Sequence, residues 1–206
     1  MKLLKLFSLI AVMTLTVACS KEEKKRSGID FKEVEPTLSL TQEQKTRFDK
    51  LIADFKSQSE ANVKAARAQG DKMDRVALGI KSEALREGLY SDMSKVLDSA
   101  QFDTFHAFVE KNSRKRPRYS DKLIADINLE LGLNQEQIKV VNAANDAFEK
   151  AYHEAHDIYH GNGDLAKEYW ERYDNQRKTA IKQVLTPEQA QKFDELVKTQ
   201  QFQARK

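Results

Sequence analysis

A five-residue phrase occurs four times in this chain, and its positions come in pairs. Leu40-Thr41-Gln42-Glu43-Gln44 and Leu185-Thr186-Pro187-Glu188-Gln189 share the form LTxEQ. Leu133-Asn134-Gln135-Glu136-Gln137 and Leu97-Asp98-Ser99-Ala100-Gln101 keep Leu first and Gln last, with another capping residue in the Thr slot. This pattern starts a helix. The Thr, Asn or Asp oxygen accepts from an early backbone N–H, and the Gln three residues on reaches back to the cap's own N–H. Pro187 falls at the first helical position, where a missing N–H costs nothing.

The spacing organises the chain. Thr41 and Asp98 lie 57 residues apart, and Asn134 and Thr186 lie 52 apart. Each interval holds two helical stretches split by glycine, at Gly70 in the first and at Gly161 and Gly163 in the second. The flanks keep register: Leu38 with Leu131, Phe55 with Phe148, Val96 with Val184, Phe105 with Phe193, Val109 with Val197. One unit used twice is the reading that follows. It divides the chain into residues 38–115 and 116–206.

Met1 to Ala18 carries Lys2 and Lys5 before an apolar run from Leu6 to Val17, which reads as a secretory signal too short to span a membrane. It ends Thr16-Val17-Ala18-Cys19, which resembles a bacterial lipobox. Cys19 is then the acylated N-terminus of the mature chain and its membrane anchor. Ser20, in place of Asp, points to the periplasmic side of the outer membrane. Cys19 is the only cysteine, so no intrachain disulfide forms and packing alone holds the fold. Residues 19–37, polar with Gly28 and Pro36, read as the lipidated N-terminus and a tether.

Without residues 1–18 the 35 basic residues fall to 33 against 32 acids, which gives no electrostatic argument for nucleic acid. Scarce Gly and Pro, abundant Ala, Glu, Lys, Gln and Leu, and no credible strand predict an all-α fold. Apolar periodicity places helices at 42–69, 72–96, 99–115, 120–131, 135–160, 165–184 and 187–203. Gly79 and Gly88 interrupt the second, marking either close approach of a neighbour or a weak helix. Pro117 ends the third, and the boundary between units falls there.

A signal followed by paired LTxxQ boxes around a long helical hairpin resembles the Spy/CpxP family of periplasmic LTxxQ proteins. The matching positions are Leu40, Thr41 and Gln44 with Leu97, Asp98 and Gln101, then Leu133, Asn134 and Gln137 with Leu185, Thr186 and Gln189. The resemblance implies small all-helical units that pair into a thin, elongated cradle. It implies an ATP-independent chaperone or envelope-stress adaptor whose partners are unfolded or partly folded envelope proteins. Related members bind zinc or sense metals. Two boxes here lack Thr, the mature charge is nearly neutral, and the two units share one chain. The family's dimer is then built within a single chain, as a monomeric pseudo-dimer, or the chain forms a homodimer.

Three histidines, His153, His156 and His160, have offsets that place them on one helix face, with Glu149 and Asp157 in reach. That face fits either a divalent zinc or nickel ion or histidines that are solvated or paired with acids. His106, beside Phe102 and Phe105, reads as packing. The basic run Lys111, Arg114, Lys115, Arg116 and Arg118 reads as a solvated connector, or as a surface for lipid headgroups or an acidic client. No nucleophile elbow, phosphate loop or histidine–nucleophile pair is visible, so a non-enzymatic role is expected, with no cofactor beyond that metal. The third class of role is a structural envelope lipoprotein with one specific partner. Candidate client-binding aromatics are Phe48, Phe55, Tyr152, Tyr159, Tyr169, Trp170 and Tyr173.

Overall fold

A computed structural model describes residues 28–68 and 72–202. Residues 1–27, on which the expected signal and Cys19 fall, Gly70 and the last four residues lie outside them. Every regular element among the described residues is a helix. A 3-10 turn, Glu35–Leu38, precedes α1 (Gln42–Ala68), α2 (Arg75–Met93), α3 (Ser99–Asn112), α4 (Asp121–Glu130), α5 (Gln135–Glu154), α6 (His156–Tyr159), α7 (Gly163–Lys182) and α8 (Pro187–Val197). α1 packs along α2, and α5 along α7. The 3-10 turn lies on α3, α4 touches α5 and α8, and α2 touches α5.

Two apolar cores stand at matching distances from the boxes. Phe48, Met93, Phe105 and Val109 are buried in the first, and Val141, Ile181, Phe193 and Val197 in the second. Each residue of the first set sits as far from its own cap as its counterpart does. The match runs upstream of the boxes too. Phe31, Val34 and Leu38 are buried where Ile124, Ile127 and Leu131 are buried in the second core.

That corrects the reading of residues up to 37 as tether. From Ile29 onward the chain is packed, with Phe31 only 3% exposed and its ring stacked 6.1 Å from that of Phe105. The polar neighbours Lys32 and Glu33 mask an apolar stripe that supplies the first core with what α4 supplies the second. Both segments turn into the next helix through a left-handed residue two places before the cap, Ser39 at φ 49° and Gly132 at φ 57°.

Helix ends differ from the periodicity in several places: α2 stops at Met93, α3 at Asn112, and α7 spans Gly163–Lys182. α2 begins at Arg75, because Asp74 caps it by accepting from the Ala77 N–H at 2.9 Å. The stretch 135–160 is not one helix but breaks at Ala155. There the Tyr159 hydroxyl donates to the Tyr152 carbonyl at 2.9 Å, so a side chain enters the backbone ladder. α8 stops at Val197, and a non-helical tail follows to Phe202.

A third cluster caps the far end of α5 and α7. Tyr152, Ala155 and Tyr159 are buried there, with Tyr169, Trp170, Tyr173 and Phe202 packed against them. No described helix is long and apolar enough to cross a membrane.

Candidate functional site

All four boxes form reciprocal caps. Thr41, Asp98, Asn134 and Thr186 each accept from the N–H of their Gln at 2.9–3.2 Å, and each Gln carbonyl accepts the cap's own N–H at 3.0 Å. The remaining end of each glutamine joins the boxes in pairs. Gln44 Nε2 donates to Gln101 Oε1 at 2.8 Å and to the Val96 carbonyl at 3.1 Å. Gln101 Nε2 donates to the Leu38 carbonyl at 2.9 Å. In the second pair, Gln137 Nε2 donates to Gln189 Oε1 at 2.9 Å and to the Val184 carbonyl at 2.8 Å, and Gln189 Nε2 donates to the Leu131 carbonyl at 3.0 Å. Each recipient carbonyl lies at or just beyond the end of a helix, where the helix itself supplies no partner. Glutamate could close a capping box, but it has no N–H to send across. The fixed Gln in this phrase therefore serves pairing as well as capping.

The basic run at 114–118 is largely consumed. Arg116 Nε donates to Glu149 Oε1 at 2.7 Å, its Nη2 reaches the other Glu149 oxygen, and its Nη1 meets Glu83 Oε2 at 3.1 Å. Arg118 Nη1 meets Asp146 at 2.7 Å and Glu149 at 3.3 Å, and Lys115 pairs with Glu110 at 3.1 Å. The Glu149 carboxylate and, against burial, Glu83 hold the Arg116 guanidinium above its ordinary range. Arg116 thereby bridges α2 and α5, so it and Arg118 are not a free surface for lipid headgroups or an acidic client. Gly79 is the close approach: a Cβ there would stand 3.3 Å from Arg116 Cγ, whereas one on Gly88 would meet nothing within 4 Å.

The three histidines lie on either side of the Ala155 break, His153 in α5, His156 in α6 and His160 just beyond it. His153 turns to Glu149, with Nε2 3.9 Å from Oε1. His156 is buried, its Nδ1 3.3 Å from Asp157 Oδ1 and its ring centroid 4.7 Å from that of His160. Burial pushes the His156 imidazole below its ordinary value; Asp157 opposes this, while Arg75 and His160 add to it. Asp157 is held below the usual carboxylate range chiefly by its bond to His156, with Arg75 contributing from 3.6 Å. Among the described residues no three His, Cys, Asp or Glu side chains are placed to hold a metal ion. His106 lies 4.4 Å from the Tyr90 ring, centroid to centroid, as packing.

Phe48, Tyr152 and Tyr159 are core, while Phe55, Tyr169, Trp170 and Tyr173 keep partial access to solvent. Beside Tyr173, α5 and α7 enclose a groove of about 280 Å³ lined by Ala144, Ala147, Ala151, Ala180, Phe148 and Arg177. Arg177 lies flat between the rings of Tyr119 and Phe148, 3.5 and 3.8 Å from their centroids. It donates to Asp174 at 3.2 Å and to Asn145 Oδ1 at 2.9 Å, and Asn145 also bonds both backbone groups of Tyr119. The first half has Ile52, Leu89 and Arg86 where the second has Asn145, Arg177 and Asp174. This buried polar cluster gave no signal in the apolar periodicity. No family model, curated protein or solved structure matches the sequence.

Proposed function

We propose that this chain is a lipid-anchored envelope protein, attached through Cys19 on the periplasmic side of the outer membrane, that holds unfolded or partly folded proteins without ATP. The observation that carries the reading is the glutamine-linked pairing of its boxes, with the same donors and acceptors in both halves. This is the pairing expected of an LTxxQ unit used twice, which makes the chain a pseudo-dimer with a cradle-like form. Its client surface is the partly accessible aromatic face of α7 and the groove beside it, flanked by charged helix surfaces. Such a surface binds weakly and broadly, because the apolar contact area is small and no deep pocket selects one ligand.

The test is aggregation of a chemically denatured protein followed by light scattering. Suppression at an equal molar ratio supports a holding chaperone. Unchanged scattering with the protein in excess removes the proposal. Mature protein carrying Cys19→Ala must also leave the membrane fraction, or the anchor is elsewhere.

A further inference from the structure

The C-terminal tail is seated on the aromatic face of α7. Helix α8 ends at Val197, the Gln200 N–H closes a turn onto the Val197 carbonyl at 2.9 Å, and the chain runs on without helix to Phe202. The Phe202 ring rests 6.4 Å from the Trp170 ring, centroid to centroid. Trp170 in turn meets Phe148 edge to face at 5.8 Å, and Phe148 is also a wall of the α5–α7 groove. Trp170, Tyr173, Arg177 and Ala180 follow one another along a single face of α7 by helical spacing. The tail therefore touches one end of a continuous strip whose other end is the alanine-walled groove.

We infer that the Trp170 end of this strip is a binding site for an extended polypeptide segment bearing an aromatic side chain, and that Phe202 is its resident ligand. The occupant's chemistry follows from what sits there: a non-helical stretch of chain, free of charge at Gln200 and Gln201, presenting one phenyl ring. Segments of that kind are exposed in unfolded proteins and buried in folded ones. The site identifies the client segment of the proposed chaperone and rests on that reading. The tail makes it self-limiting, because an external segment must displace Phe202. Apparent affinity falls by the fraction of time the site is covered, so a tail bound nine-tenths of the time weakens external binding about tenfold.

Trp170 is the single tryptophan in the chain, so its emission reports on the site directly. In Phe202→Ala the emission moves to longer wavelength as the indole loses its apolar cover. A synthetic peptide of residues 198–202 reverses that shift, and the same peptide with alanine for its phenylalanine does not. The wild type responds to the peptide only at about tenfold higher concentration. Calorimetry on the Phe202→Ala, Trp170→Ala double variant shows no peptide binding, with circular dichroism confirming that its helices are intact. Equal emission for wild type and Phe202→Ala, or equal effects of the two peptides, overturns the inference. Peptide binding without aggregation suppression leaves the site in place and removes the chaperone reading.

Discussion

Gln44 and Gln101, 57 residues apart in sequence, join the starts of two helices through reciprocal hydrogen bonds of 2.8 and 3.4 Å between their side-chain amides. Gln137 and Gln189 join another two through one bond of 2.9 Å across 52 residues. Each glutamine closes its own cap and also reaches a backbone carbonyl in the other segment of its pair. Gln101→Glu is therefore the informative substitution. It keeps the cap acceptor but loses the donor to Leu38, and it leaves that carbonyl without its partner. The expected cost is about 1–3 kcal/mol in urea unfolding. Gln137→Ala and Gln189→Ala combined cost less than their sum, because both remove the same bond.

Arg116 and Glu149 are both shielded from solvent, with side chains 14% and 1% exposed. Removing one partner leaves the other with only its secondary pair, Glu149 with Arg118 at 3.3 Å or Arg116 with Glu83 at 3.1 Å. Arg116→Met or Glu149→Leu alone is expected to cost about 3 kcal/mol, and the double variant appreciably less than the two together. Full additivity in a thermodynamic cycle would show that the two side chains are not coupled.

Ser39 holds a left-handed backbone at the place where the second half has Gly132. An L side chain there costs about 1 kcal/mol. Ser39→Gly is expected to raise the midpoint of unfolding by a corresponding amount, with Gly132→Ala moving it the other way.

Two helical glycines should respond differently to alanine. At Gly88 nothing opposes a Cβ, and the substitution should gain about 1 kcal/mol from helix propensity. At Gly79 the new methyl meets Arg116, so the gain is smaller or reversed. Equal stabilisation at both sites would contradict the packing of Arg116 against α2.

His156 sets a pH dependence. Its folded value is below its ordinary one, so the unfolded chain binds a proton that the folded chain refuses. Stability from this residue is complete well above the ordinary histidine value of about 6.5 and declines as pH falls below it towards the lowered folded value. His156→Gln should flatten the slope of unfolding free energy over that window, with Asp157, Arg75 and His160 still in place around the site.

Local signals in the sequence carried the helix starts, the apolar positions and the pairing of the boxes, because caps and stripes are written within a few adjacent residues. What joins those elements was not legible. The donors from Gln101 to Leu38 and from Arg116 to Glu149 span 63 and 33 residues, and no local pattern marks either. The Arg114–Arg118 run looks solvated until the acids that receive it are placed beside it. Phe31 and Val34 stood too close to Lys32 and Glu33 to read as core. The histidine spacing assumes one helix over 135–160, and the break at Ala155 carries neither Gly nor Pro to mark it.

A chain that writes the same helix-start phrase four times risks joining the wrong rods as it leaves the unfolded state. The polar knot of Asn145, Arg177 and Asp174 answers that risk. Against Leu89, the Asn145 amide would find no guanidinium, and against Ile52, Arg177 would keep Asp174 but lose its bond to Asn145. Packing α5 along α2 in place of α7, or α7 along α1 in place of α5, thus leaves an amide or a guanidinium short of a partner, while the correct match satisfies both, so the two halves of one repeated text are kept from being misread for each other.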